Sequence, residues 1–230
     1  MLSTNMIMLQ IVADGLKTLK DEMVFVGGSV AELYASDPTL SDIRPTLDVD
    51  CVIEIKSRLD HSKLEDNLRK IGFVNDRSEN APICRWLFCN IKVDIMPIDE
   101  EILGFSNRWY LEGVKNKMEI NLVDGTSIFI FKPEYYLAAK FEAHKNRGGN
   151  DLRQDHDFED IIYLFDNRFD IEREVQESNA TVKTYLSEEC KILISNRGLT
   201  EGIETALPFG ADDERVSMIK NIIVSIAEFE

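Results

Sequence analysis

The chain has 230 residues, with 42 acidic and 26 basic side chains and a formal net charge of −16. That charge argues against a broad nucleic-acid surface, where affinity comes largely from neutralising phosphates; a local basic groove or a basic partner stays compatible with it. Hydrophobic residues make up 44%, enough for the core of one large or two small domains, and no apolar run is long enough to predict a membrane span.

The first segment, MLSTNMIMLQIVADGLKTLKDE, lacks a basic n-region and a small-residue cleavage site. It reads as an amphipathic helix over 4–20, with Met8, Ile11, Val12, Leu16 and Leu19 at helical spacing, rather than as a signal peptide. Met23 to Val26 is a short apolar strand. Gly27-Gly28 breaks it, and Ser29 to Ala35 reads as a short helix following the glycines. SDPTLSDIRP is turn-rich and predicts a loop. Leu47 to Ile55 is a strand with Asp48, Asp50, Val52 and Glu54 on one face and Leu47, Val49, Cys51, Ile53 and Ile55 on the other.

Leu59 to Ile71 predicts a charged amphipathic helix. Strands are expected over Gly72–Asn75, Arg85–Phe88 and Asn90–Ile95, the last ended by Pro97. EINLVDGTSIFIF is a hairpin signature with Asp124-Gly125 at the turn. From Pro133, which suits a first helical position, the pattern becomes helical: 133–146, 155–167, 171–196 and 211–228, with a looser segment between Asn196 and Asp212. The chain therefore predicts an α+β fold: a mixed sheet with flanking helices over 1–130, then an α-helical region over 131–230.

Cysteines 51, 84, 89 and 190 form no zinc pattern, since Cys84 and Cys89 lie in a predicted strand region without a nearby histidine. They read as buried free thiols of a cytoplasmic protein. His61, His144 and His156 form no ligand set. Trp86, Trp109 and Tyr110 read as core or domain-interface residues.

The chemistry concentrates on the acids. Asp48 and Asp50, two apart on a strand, leave the same face. Left bare, two carboxylates so placed repel and lose solvation. A divalent cation removes both problems, and Mg²⁺, with Mn²⁺ as an alternative, prefers protein carboxylates together with substrate phosphates. Asp94, in VDIMP, is a third acid on another apolar strand, and three carboxylates on adjacent strands would seat the metal of a phosphoryl transfer. Gly27, Gly28 and Ser29 precede a helix and offer N–H groups as a phosphate cradle. A lone D-x-D also suits a solvated edge strand, and a lone G-G-S an ordinary turn. Their order along the chain points to a site.

VGGSVAELY, RPTLDVDCVI and VDI together resemble the nucleotidyltransferase superfamily with the DNA-polymerase-β-type fold. The resemblance covers about residues 20–100, and the stretch between Ser29 and Asp48 is longer than in minimal members. It implies that Gly28 and Ser29 hold the NTP phosphates, that Asp48 and Asp50 bind Mg²⁺, and that Asp94 helps the metal and activates the attacking hydroxyl. The arrangement GGS…R-x-T-x-D-x-D is similar to the AbiEii-type nucleotidyltransferase toxins of phage-defence and toxin–antitoxin systems. That branch implies a lysine and a D-x-x-D-like element in the helical region, here Lys140, Asp157 and Asp160, as catalytic and nucleotide-binding groups. It also implies transfer of NMP to tRNA, another RNA, a protein or a small molecule, and an antitoxin partner. A silent nucleotide-binding or regulatory protein of the same fold is the alternative. Arg44 is a further candidate for carboxylates or phosphates, and Lys145 and Arg147 in HKNRGGND for a loop near the substrate.

Overall fold

The computed structural model describes residues 2–37, 44–55, 57–148 and 151–229. Most of the predicted SDPTLSDIRP loop, and Gly149 and Asn150 of HKNRGGND, lie outside the described residues. Two compact units are present: one holds the described residues of Met1–Val30 and Arg44–Lys132, the other those of Ala31–Ile43 and Pro133–Glu230.

The first unit is built on a sheet of seven strands: β1 (Met23–Val26), β2 (Asp48–Ile53), β3 (Val74–Asn75), β4 (Arg85–Phe88), β5 (Ile91–Pro97), β6 (Lys117–Asn121) and β7 (Ser127–Phe131). Their order is β3-β4-β5-β2-β1-β7-β6. β2 runs parallel to β5 and β1 parallel to β7, while the other pairs are antiparallel, so the sheet is mixed. The alternation expected for β2 holds over Asp48–Cys51, with Val49 and Cys51 buried and Asp48 and Asp50 half-buried, but Val52 is buried as well, and Leu47, expected on the buried face, is exposed ahead of the strand. The hairpin between β6 and β7 turns at Gly125, which has φ +87°.

Among the described residues, the α-helices of this unit are α1 (Thr4–Leu16), α2 (Arg58–Lys70), α3 (Glu100–Leu103) and α4 (Tyr110–Lys115). The hydroxyl of Ser3 caps α1 by accepting from the Met6 N–H at 3.0 Å. Leu9, Val12 and Leu16 on its inner face are fully buried, each stabilising the fold by about 1.5–3 kcal/mol. Helix α1 is shorter than the predicted 4–20: Lys17 takes φ +54°, its N–H turns back to the Asp14 carbonyl, and the chain tightens into a 3-10 turn over Lys17–Glu22. The segment after the paired glycines is likewise a 3-10 turn, Gly28–Tyr34.

The second unit is helical: α5 (Pro133–Arg147), α6 (His156–Asn167), α7 (Ile171–Glu177), α8 (Ala180–Ser195), α9 (Leu199–Ala206) and α10 (Asp213–Ala227). Its core gathers Phe141, Phe158, Phe165, Leu186, Ile219 and Ile223, all essentially without solvent contact. Two sequence expectations change here. The helix predicted over 171–196 is two helices, because Ser178 adopts extended backbone and Asn179 caps α8 by accepting from the Thr181 N–H. The looser segment predicted after Asn196 contains α9, whose Leu199 and Ile203 are buried. Among the described residues no helix is long and apolar enough to cross a membrane.

Candidate functional site

The first unit gathers charge on one face of its sheet, at the β2–β5 pair. In that parallel ladder Asp50 is the register partner of Asp94, and Asp48 that of Lys92. Side chains of register partners share a face, so three carboxylates and Lys92 lie on one side of two neighbouring strands. β4 adds a fifth group, because Arg85 is the antiparallel partner of Asp94.

Arg85 was not singled out by sequence, and it organises the cluster. Its Nε donates to Asp94 Oδ1 and its Nη2 to Asp94 Oδ2, both at 2.7 Å, while Nη2 also reaches Asp48 Oδ2 at 3.1 Å. A guanidinium matches a carboxylate as a planar fork, and such charge-assisted pairs are the strong ones. Asp94 is only 8% exposed, so a partner for its charge matters. The hydrogen bond to Asp94 pushes the Arg85 pKa up; burial opposes the shift, and the charges of Asp94, Asp48 and Asp50 reinforce it. Arg85 therefore stays cationic throughout the accessible pH range.

The start of β2 is set by α1. Asn5, fully buried, donates from Nδ2 to the Arg44 carbonyl at 3.1 Å and accepts from the Thr46 N–H at 3.0 Å. The Thr46 hydroxyl then donates to the Asp48 carbonyl at 3.0 Å. The T of the R-x-T-x-D-x-D stretch thus joins a side-chain clamp that fixes the backbone immediately ahead of Asp48. Arg44 enters the site through its carbonyl in this clamp.

Gly27 lies against Asp50. It has φ +75°, and a Cβ placed on it would meet the Asp50 carboxylate, with Cγ at 2.8 Å and Cβ at 3.0 Å. The bare glycine lets the turn after β1 approach the acid closely. Val26, the last residue of β1, is the register partner of Asp50, which brings the following Gly27, Gly28 and Ser29 to this edge of the face. Ser29 is fully buried, and among the described residues its hydroxyl has no hydrogen-bond partner. A buried hydroxyl without a partner costs free energy and marks a place where a polar ligand would be accommodated.

The donor chemistry suits a hard divalent cation, because carboxylate oxygens are what Mg²⁺ takes from proteins. Among the described residues, however, no three acidic, histidine or cysteine side chains stand together as a ligand set. In this arrangement Asp94 and Asp48 are turned to Arg85 instead. The nearby thiols are held in their neutral form. Burial, reinforced by the Asp94 charge, pushes Cys84 up to about 12, and burial, then Asp50 and Asp94, holds Cys51 well above the ordinary thiol range. Cys84, Cys51 and Cys190 are buried and free, whereas Cys89 is exposed, contrary to the sequence expectation. Cys89 and Asn90 form the turn between β4 and β5, both with positive φ, and a turn carries its side chains outward.

Within the second unit, Lys140 on α5 and Asp157 and Asp160 on α6 are brought together and buried. Lys140 Nζ lies 2.6 Å from Asp160 Oδ2 and 3.2 Å from Asp157 Oδ1. Arg147 forks onto Asp157 through Nε and Nη2 at 2.7 and 2.9 Å. Asp155 caps α6 by accepting from the Asp157 and Phe158 N–H groups, and its other oxygen meets His144 Nδ1. Lys145 pairs instead with Glu189 at 3.0 Å. Trp86 and Trp109 are buried. No protein-family model matches the chain, and no curated protein matches it either.

Proposed function

We propose that the chain is a Mg²⁺-dependent nucleotidyltransferase of the DNA-polymerase-β type, moving NMP from an NTP to an acceptor hydroxyl. The observation that carries this reading is the β2–β5 register, which sets Asp94 beside the Asp48/Asp50 pair on one sheet face. Asp48, Asp50 and Asp94 would hold Mg²⁺ or Mn²⁺. Such an ion, when bound, neutralises the carboxylates and the phosphate charge and stabilises the entering and leaving oxygens.

The chain's own residues account for the rest. Gly27 leaves the turn bare, so backbone N–H groups of Gly28 and Ser29 can face the leaving phosphates, and the orphaned Ser29 hydroxyl gains a partner there. Asp94 takes the proton of the attacking hydroxyl as the new O–P bond forms at the α-phosphorus and pyrophosphate departs. Lys140, steadied by Asp157 and Asp160, is the cation assigned to the nucleotide by the resemblance to AbiEii-type toxins. Positioning and charge neutralisation supply most of what phosphoryl transfer needs.

RNA, tRNA in particular, is the preferred acceptor class on the same resemblance, with protein and small-molecule hydroxyls behind it. The Arg85 contacts to Asp94 and Asp48 favour one rival: a nucleotide-binding protein of this fold that has lost transfer. Incubation with each alpha-radiolabelled NTP, Mg²⁺ and total cellular RNA, protein or small-molecule acceptors separates the two. A labelled acceptor that disappears in Asp48→Asn supports transfer. Full labelling in that variant refutes the assignment, and metal-dependent NTP binding without any labelled product selects the silent protein.

A further inference from the structure

Three carboxylates on one sheet face need a counter-charge whether or not a metal is present. The fold supplies it from inside. Arg85 sits opposite Asp94 in the β4–β5 ladder, donates to both Asp94 oxygens and reaches Asp48 with the same Nη2. These are two of the three acids assigned to the metal. A divalent cation seated by those oxygens and a guanidinium bonded to them cannot both keep their full contacts, since the oxygens are shared and the two cations repel. Lys92, on the same face as the register partner of Asp48, is exposed, whereas Arg85 bonds the acids directly, so Arg85 is the cation that matters locally.

We infer that Arg85 is a resident counter-cation that competes with the divalent ion for Asp94 and Asp48, setting how tightly the metal binds; this rests on the nucleotidyltransferase reading. Arg85 is a positioning residue: it holds Asp94 and Asp48 in place without a metal and must yield them when one enters. Metal affinity in the absence of nucleotide is correspondingly weak. An incoming triphosphate offers the released guanidinium anionic oxygens in a geometry it also matches, so metal and nucleotide favour each other's binding.

Mn²⁺ alone is the probe, titrated calorimetrically into the full chain, and thermal melting is followed with EDTA and with Mn²⁺. Arg85→Gln should bind Mn²⁺ about tenfold tighter than the parent chain, the scale of a typical coupling between ligands. Arg85→Lys, which keeps the charge and loses the fork, should fall between. Without metal, Arg85→Gln should melt at lower temperature than the parent, and Mn²⁺ should raise its melting temperature by more. Equal or weaker Mn²⁺ affinity in Arg85→Gln overturns the inference. Should that variant fail to fold, Arg85→Lys decides: tighter binding than the parent supports competition, and equal or weaker binding overturns it. Asp50→Asn separates the two levels. Mn²⁺ binding that Asp50→Asn abolishes but Arg85 variants leave unchanged sinks only the competition; absence of any binding sensitive to Asp50→Asn sinks the metal-site reading and the competition together.

Discussion

Gly27→Ala tests the closest contact in the site. Two penalties arise. The first is conformational: φ +75° is a backbone region that costs an L-residue about 1 kcal/mol relative to glycine. The second is steric. The new methyl would overlap the Asp50 carboxylate, with Asp50 Cγ at 2.8 Å and Cβ at 3.0 Å. Asp50 is in the middle of a strand paired on both sides, so its backbone cannot retreat and its side chain must leave its rotamer, adding about 1–3 kcal/mol. The expected total is about 3 kcal/mol. Gly125 provides an internal control: its φ is +87°, yet a Cβ there meets nothing within 4 Å. Gly125→Ala should therefore show only the conformational part, about 1 kcal/mol. Urea denaturation of the two variants beside the parent measures both. Equal midpoint shifts would mean that Gly27 does not make room for Asp50, and the geometry assigned to the turn would be wrong.

Two further expectations follow from titrating groups. Burial pushes the Asp157 carboxyl up, but the hydrogen bonds from Arg147 and the charges of Lys140 and Arg147 outweigh it and hold the pKa below the usual carboxylate range. Its folded value lies under its unfolded one, so its contribution is fully present above about pH 4 and is lost as pH falls through the folded value. Melting temperature measured down through this window should drop less steeply in Asp157→Asn than in the parent, and parallel profiles would count against the ion-paired cluster. An aromatic disulfide reagent at neutral pH should label one thiol rapidly in the native chain, Cys89, since Cys51, Cys84 and Cys190 are buried and their pKa values raised. Native labelling that persists in Cys89→Ser would contradict that burial.

What sequence could disclose was the face, not the neighbour. Period-two alternation puts Asp48 and Asp50 on one side of β2 without any knowledge of the sheet. That β5 lies beside β2, parallel and with Asp94 level with Asp50, depends on β3 and β4 going to the far side of β5. Local pattern carries nothing of that arrangement. Arg85 had one available signal, a charged residue between the apolar Cys84 and Trp86, but such a residue on a short strand reads equally as solvated. Asn5 was hidden for the same reason: a polar residue in the first turn of a helix ordinarily faces water, and its burial follows from the chain segment at Arg44–Thr46 meeting it. The break between α7 and α8 carries no glycine or proline, only Ser178 and Asn179, and helix α9 contains Gly202, which lowers intrinsic helix propensity while tertiary burial of Ile203 restores the helix.

The Asn5 clamp ties the first turn of α1 to the strand that carries the acidic face. A polypeptide lacking residues 1–5 would keep every carboxylate, the glycine turn and Arg85, yet would lack the amide that accepts from the Thr46 N–H and donates to the Arg44 carbonyl. Both backbone groups would then lose this partner, the Thr46 N–H in a buried place, just upstream of Asp48. Such a shortened product would carry the full complement of chemistry-bearing side chains on a strand whose leading edge is no longer tethered.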